Sequence, residues 1–261
     1  MRQRKVKNEE EKIAQYSHWI AEDPAALKGR WWEAFQAAAP SDETSEIYME
    51  IGCGKGKFIT GMARMYPDRR FVAVEGAGTV VLRALEKAAG VKATILDEDE
   101  DENLVVGEPL DNIRFITDYV QTLGDIFERG EICGIYLNFS DPWPKERHAK
   151  RRLTHRKYLT EYKKILTPGS VLEFKSDNDD LFQFSAQEFY DFGLEILELT
   201  DDLHGVLMGP APKTVVLDSE GREVVLPGPG EGAEASAQVT TEYEDRFTAM
   251  GKNIHYCKVR F

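Results

Sequence analysis

Short apolar runs alternate with amphipathic stretches along most of the chain. IYMEI, FVAVE, IRFITD, ICGIYLN and SVLEFKS are each bounded by Gly, Asn, Asp or Pro, and each has the length and β-branched content of a buried strand. Between them lie helical patterns. Phe58, Ile59, Met62 and Ala63 make one apolar face, VVLRALEKAA makes a second, and LTHRKYLTEYKKIL a third. Upstream, Trp19, Ile20, Leu27, Trp31, Trp32 and Phe35 are spaced as the apolar face of two amphipathic helical stretches within about residues 9–36. Strands alternating with helices predict right-handed βαβ units and a mostly parallel sheet, an α/β fold. The domain layout expected is an N-terminal helical extension with a basic arm over 1–40, then one domain over 41–261. That domain carries two insertions: an acidic loop at about 94–111, and a segment at about 209–238 that reads as a surface hairpin with a flexible tail.

The polar residues that close the apolar runs carry the chemistry. Ligands of open parallel sheets bind outside the carboxyl ends of the strands. Glu50, Glu75, Asp118, Asp141 and Asp177 all lie at or near such ends. Gly52, Gly54 and Gly56 follow the first strand and open a helix, so backbone N–H groups can approach a ligand closely. The dinucleotide fingerprint needs G-x-G-x-x-G, whereas the spacing here is G-x-G-x-G with Lys57 at the third glycine's place. Glu75, about twenty residues on, suits any ligand with a vicinal ribose diol. The additional acids favour S-adenosylmethionine, which brings a sulfonium and an ammonium, over a dinucleotide with its pyrophosphate.

Composition adds two constraints. The chain has 261 residues and a net charge of −13, which alone argues against a polyanionic partner. The distribution reverses this: KERHAKRRLTHRK, residues 145–157, holds seven Lys or Arg against one acid, with His148 and His155 besides. Cys53, Cys133 and Cys257 are far apart with no CxxC spacing, so neither a metal site nor a disulfide is expected. No apolar run approaches membrane-spanning length, and the opening MRQRKVKNEEEK runs into acids rather than an apolar core. A cytoplasmic protein without a secretory signal is the expectation. Arg2, Arg4, Lys5 and Lys7 read as a solvated tail or an RNA-contacting arm.

NFSDPWPK joins these threads. Asp141 sits just past a strand, Pro142 and Pro144 stiffen the turn, and Trp143 offers an aromatic face. The cationic run follows at once, where an RNA backbone would lie beside a reaction centre. Through EIGCGKGKF, FVAVE, NFSDPWPKERHAKRRL, FKSDN and TEYEDRF, spanning most of the chain, the sequence resembles the bacterial tRNA (guanine-N7)-methyltransferase family. It differs at Ser140, where that family commonly has Pro, and in the two insertions. The resemblance implies a Rossmann-like class I methyltransferase, a mostly parallel seven-stranded sheet flanked by helices. It implies S-adenosylmethionine contacts at Glu50, Glu75, Asp118 and Asp141, with Asp141 as the active-site acid. It also implies tRNA-binding positions at Lys145, Asp177, Thr241, Glu242, Tyr243 and Glu244, and methylation of guanine 46 in the tRNA variable loop. Arg147, Lys150, Arg151 and Arg152 are the further RNA contacts expected, with no metal, no membrane, and a monomer or homodimer.

For base selection, Asp177 and Glu244 are the carboxylates expected to accept from the guanine N1–H and N2–H₂ edge, with Trp143 or Tyr243 stacking on the ring. Two other classes compete: an RNA-binding protein with a vestigial cofactor pocket, and a methyltransferase for a small metabolite or a protein.

Overall fold

The structure is a computed structural model, and it describes residues 8–35, 46–91, 107–119, 122–205, 213–228 and 237–261. Its strands are β1 (Ile47–Ile51), β2 (Arg70–Val74), β3 (Ile113–Ile116), β4 (Ile132–Asn138), β5 (Leu166–Ser176), β6 (Glu195–Thr200), β7 (Val216–Leu217), β8 (Glu223–Val224) and β9 (His255–Arg260). The α-helices are α1 (Glu9–Ala14), α2 (Lys57–Met65), α3 (Gly78–Ala88), α4 (Arg156–Ile165), α5 (Asp179–Asp191) and α6 (Glu242–Ala249). Seven strands form one mostly parallel sheet in the order β3-β2-β1-β4-β5-β9-β6, and β7 and β8 form a separate hairpin. The chain divides into two compact units, Met1–Phe127 and Glu128–Phe261.

In the first unit, β1, β2 and β3 pair in parallel with matched ends: Ile51 lies opposite Val74, and Val74 opposite Ile116. All of β2 and β3 is buried, as near-continuous apolar strands covered on both faces must be. Helix α2 buries Phe58, Ile59 and Met62, and α3 buries Val81, Leu82 and Leu85. Gly56 starts α2 at φ 81°, and a Cβ there would stand 2.6 Å from the Ala84 Cβ of α3. Only glycine satisfies both the left-handed backbone and that approach.

The N-terminal stretch corrects the expectation of two amphipathic helices. It contains the six-residue α1 and three 3-10 turns, Ser17–Trp19, Pro24–Leu27 and Trp31–Phe35. Asp23 caps the turn that begins at Pro24, and Gly29 at φ 76° interrupts again, so the apolar residues are delivered by turns instead of a continuous helix. They still bury. The Trp31 ring stacks on Phe127 at 4.8 Å, Trp19 Nε1 donates to the Leu110 carbonyl at 2.8 Å, and Trp31 Nε1 to that of Ile126 at 3.0 Å. Ile20 bridges Phe115 in parallel, so this segment covers the edge strand β3. The arm residues Arg2, Arg4, Lys5 and Lys7, and most of the acidic insertion, lie outside the described residues.

In the second unit, β4 pairs in parallel with β5, and β9 runs antiparallel between β5 and β6. Helix α4 is fastened to α5 by Glu188, which accepts from the Arg156 backbone N at 2.8 Å and from its guanidinium at 2.7 and 3.0 Å. The hairpin read from sequence is β7–β8. It lies on α5, where the Gln183 and Gln187 amides bond the backbone of Val215 and Leu217.

Gly56→Ala should destabilise the protein by about 2–4 kcal/mol, a left-handed residue plus an overpacked contact. Urea unfolding of the variant against wild type measures this.

Candidate active site

The first unit supplies a glycine turn organised by Glu75. Gly52 N and Cys53 N both donate to the Val74 carbonyl, at 2.8 and 3.1 Å, which ties the turn to the end of β2. Glu75, the next residue, accepts from Gly54 N at 3.1 Å through Oε2 and from Ala77 N at 2.9 Å through Oε1. One carboxylate therefore links the loop after β1 to the loop after β2. Each oxygen keeps a second lone pair for a ligand hydroxyl. Gly52 and Gly54 have φ of 78° and 58°, with no atom within 4 Å of where a Cβ would stand, so the turn presents open backbone. Glu50 is 1% exposed near the end of β1. Asp118 is exposed beyond β3, accepting from Tyr119 N at 2.7 Å. These are the donors and acceptors that a cationic, ribose-bearing cofactor requires, and the residues present fit S-adenosylmethionine.

The second unit supplies the loop after β4. Asn138 lies opposite Lys175, and Phe139 N donates to the Lys175 carbonyl at 3.0 Å, so the loop leaves β4 pinned to β5. Phe139 and Trp143 are held at φ 51° and 43°, the left-handed region where an aromatic side chain is strained. Arg152 holds this backbone in place: Nε donates to the Pro142 carbonyl at 3.0 Å and Nη2 to that of Trp143 at 3.2 Å, while its guanidinium lies 4.3 Å over Phe184. Arg152, expected as an RNA contact, is thus a staple of the loop. Asp141 is exposed and has no hydrogen-bond partner among the described residues. Lys145, Arg147, Lys150 and Arg151 are exposed around it in sequence, with the Arg151 guanidinium 4.8 Å over the Trp143 ring.

The late TEYE run begins α6. Thr241 is the N-cap and forms a capping box with Glu244. Glu242 is half-buried, and Tyr243 is 53% exposed with its ring 6.4 Å from Phe139 and 6.2 Å from Phe247. Asp177 pairs with Lys252 at 3.3 Å, and Lys252 lies over Phe247 at 4.6 Å. Glu244 departs from its expected role as a reader of the guanine edge. It is fully buried against Lys175 and His204. Lys175 itself was missed. The signal for it was a lysine inside the apolar run VLEFKS, which a buried strand accommodates only with a partner.

His255, 1% exposed at the start of β9, stands between Asp179 at 2.7 Å and Asp201 at 3.1 Å. Burial disfavours its charge, but the hydrogen bonds to Asp201 and Asp179 outweigh burial and raise its pKa. Asp201 is partly buried, which disfavours its charge, yet bonds from His255 and Thr214 hold its pKa below the ordinary value. Cys53 and Cys257 are buried thiols and Cys133 is partly exposed, all three reduced. Among the described residues, no cluster of three or more His, Cys, Asp or Glu could hold a metal, and no helix is long and apolar enough to cross a membrane.

A mostly parallel seven-stranded sheet with a glycine turn after β1 and an acid after β2 defines a class I methyltransferase fold. A solved antibiotic-related methyltransferase shares it, with a TM-score of 0.50 at 12% identity, covering 87% of this chain and 98% of that one. A family model described as "Putative methyltransferase" matches residues 44–214. A tRNA (guanine-N(7)-)-methyltransferase of Exiguobacterium sibiricum is 38% identical over 241 residues, 92% of this chain and 89% of the relative. One of Lactococcus lactis subsp. cremoris is 35% identical over 261 residues, 100% of this chain and 98% of the relative. The chain belongs to the tRNA (guanine-N7)-methyltransferase family.

A histidine whose folded pKa is raised contributes its stability fully below the unfolded value of 6.5 and loses it as pH rises through the folded value. The wild-type melting temperature should therefore fall more steeply than that of His255→Asn as the pH is taken from about 6 toward about 9. Parallel thermal melts of the two proteins across that range decide it.

Proposed function

We propose that this protein transfers a methyl group from S-adenosylmethionine to N7 of guanine 46 in the tRNA variable loop. The observation that carries this reading is the Asp141 carboxylate. It stands exposed in a loop whose strained backbone is stapled by Arg152, with Lys145, Arg147, Lys150 and Arg151 exposed along the same segment. An uncommitted carboxylate on a rigid loop followed by cations is what a reaction on a polyanion's base requires.

When bound, S-adenosylmethionine supplies an electrophilic methyl carbon on a sulfonium. In this reading Glu75 accepts from the ribose hydroxyls with the lone pairs left over from Gly54 and Ala77, Gly52 and Gly54 leave room for the ligand, and Gly56 lets the turn close against α3 beside it. Glu50 and Asp118 add negative charge toward the cofactor's cationic groups. Guanine N7 has an in-plane lone pair and no proton, so no general base is needed at the attacking atom. The protein's task is alignment, with exclusion of water. Positive charge moves onto the imidazole ring of the base as the bond forms, and Asp141 stabilises it there.

Lys145, Asp177, Thr241, Glu242 and Tyr243 are the tRNA-facing set, Thr241 through its cap of α6 and Tyr243 through its exposed ring. Arg147, Lys150 and Arg151 neutralise phosphates. Folded tRNA as substrate implies a cytoplasmic enzyme, working as a monomer or a homodimer.

Labelled methyl transfer to unmodified tRNA tests the proposal. Asp141→Ala should lower kcat/KM by about 10²–10³-fold with the melting temperature unchanged, because the side chain is exposed. Lys145→Ala should chiefly weaken tRNA binding and reduce the salt slope by about one. Tight tRNA binding with no transfer by the wild type would leave an RNA-binding protein, and equal transfer to free guanosine would leave a small-molecule methyltransferase.

A further inference from the structure

The buried polar cluster beneath α6 uses up a carboxylate that sequence assigns to the substrate. Lys175 is 1% exposed and Glu244 is fully buried. Lys175 Nζ stands 3.1 Å from Glu244 Oε1 and 3.0 Å from Oε2, and 3.3 Å from the Val239 carbonyl. His204 Nε2 lies 2.7 Å from Oε1. Thr241 N donates to Oε2 at 3.2 Å. A carboxylate offers about four lone-pair positions. Here four contacts occupy them, two on each oxygen, so Glu244 has no acceptor capacity left for the N1–H or N2–H₂ of a base.

The same lysine reaches the other side of the site. Its carbonyl accepts from Phe139 N at 3.0 Å, the first residue of the Asp141 loop, and Phe139 in turn lies against the exposed Tyr243 ring. Lys175 therefore joins the start of α6 to the start of the catalytic loop. Its backbone sets the loop and its side chain sets the helix.

We infer that Lys175 and Glu244 are positioning residues: a buried strut that fixes Tyr243 relative to Asp141, with Glu244 acting through α6 and not by contact with the base. This rests on the tRNA methyltransferase reading, since it concerns how that substrate is presented. A buried pair of this kind is a weak source of stability, because its desolvation opposes its attraction, and an apolar pair of similar volume often folds as well. Replacing the strut therefore separates positioning from packing.

The test uses Lys175→Met, Glu244→Gln and the double variant Lys175→Met with Glu244→Leu, each assayed on tRNA carrying guanine or inosine at the target position. Inosine lacks the N2 amine. The single variants should raise the KM for tRNA on the order of tenfold to a hundredfold, the scale of a displaced substrate. Their calorimetric Kd for S-adenosylmethionine should stay within about twofold of wild type, with the guanine-to-inosine preference retained, as expected when no acceptor for N2 is lost. The double variant should melt above either single variant, short of wild type by the lost cap of α6, and keep the raised KM. It also supplies the readout if a single variant, left with a lone buried charge, does not fold.

Recovery of the wild-type KM by the double variant would reduce the strut to packing and overturn the inference. So would an unchanged KM in Lys175→Met, or loss of the guanine preference in Glu244→Gln. A wild type with equal preference for the two bases leaves the KM and double-variant arms to decide. A wild type that fails to methylate tRNA overturns the functional reading instead, before any variant is made.

Discussion

Parallel pairing in register is the constraint on which the site depends. Ile51, Val74 and Ile116 stand side by side at the ends of β1, β2 and β3, so the residues that follow must leave the sheet together. That brings the glycine turn, Glu75 and the Thr117–Asp118 exit to one edge without any long-range instruction beyond strand length. In the second unit the same rule applies to β4 and β5. Asn138 lies opposite Lys175, and the Asp141 loop and Asp177 both begin just beyond. A one-residue slip in either pairing would turn every side chain of the strand to the other face and empty the edge of its acids.

The acids gathered this way are not equivalent, and the number of lone pairs already taken separates their roles. Glu75 accepts two backbone N–H groups, enough to fix its orientation and leave capacity for hydroxyls. Asp141 takes none among the described residues, so its charge is uncommitted. Glu244 is saturated by Lys175, His204 and Thr241, and serves the structure of α6. Cations divide likewise. Arg151 stays exposed beside Trp143, whereas Arg152 is bound to the carbonyls of Pro142 and Trp143 and offsets the strain at Trp143.

Much of this was legible in the residues. The apolar runs read from sequence fall on β1 through β5, and an acid or a glycine follows shortly beyond the end of each strand. The helices α2, α3 and α4 follow from their apolar faces. The antiparallel strands β6 and β9 were not legible from pattern, because LEILELT mixes exposed and buried positions and HYCKVR has no acid at its exit. The N-terminal helices were overread for a local reason: Trp19, Ile20, Leu27 and Trp31 have helical spacing, but Asp23-Pro24 and Gly29 impose turns on it. Partnership was the least legible quantity. Nothing in KERHAKRRL distinguishes Arg151 from Arg152, and nothing in TEYE shows that its last acid meets a lysine 69 positions earlier. Such facts exist only once strands have been ordered in space.

Methylation at N7 weakens the imidazole ring of guanine, so borohydride reduction followed by aniline breaks the RNA chain at that nucleotide. Unmodified tRNA treated with this protein and S-adenosylmethionine should acquire one such break, at guanine 46 of the variable loop, and Asp141→Ala should form it about 10²–10³-fold more slowly. Label incorporated without a break there, or a break that Asp141→Ala leaves undiminished, would contradict the account.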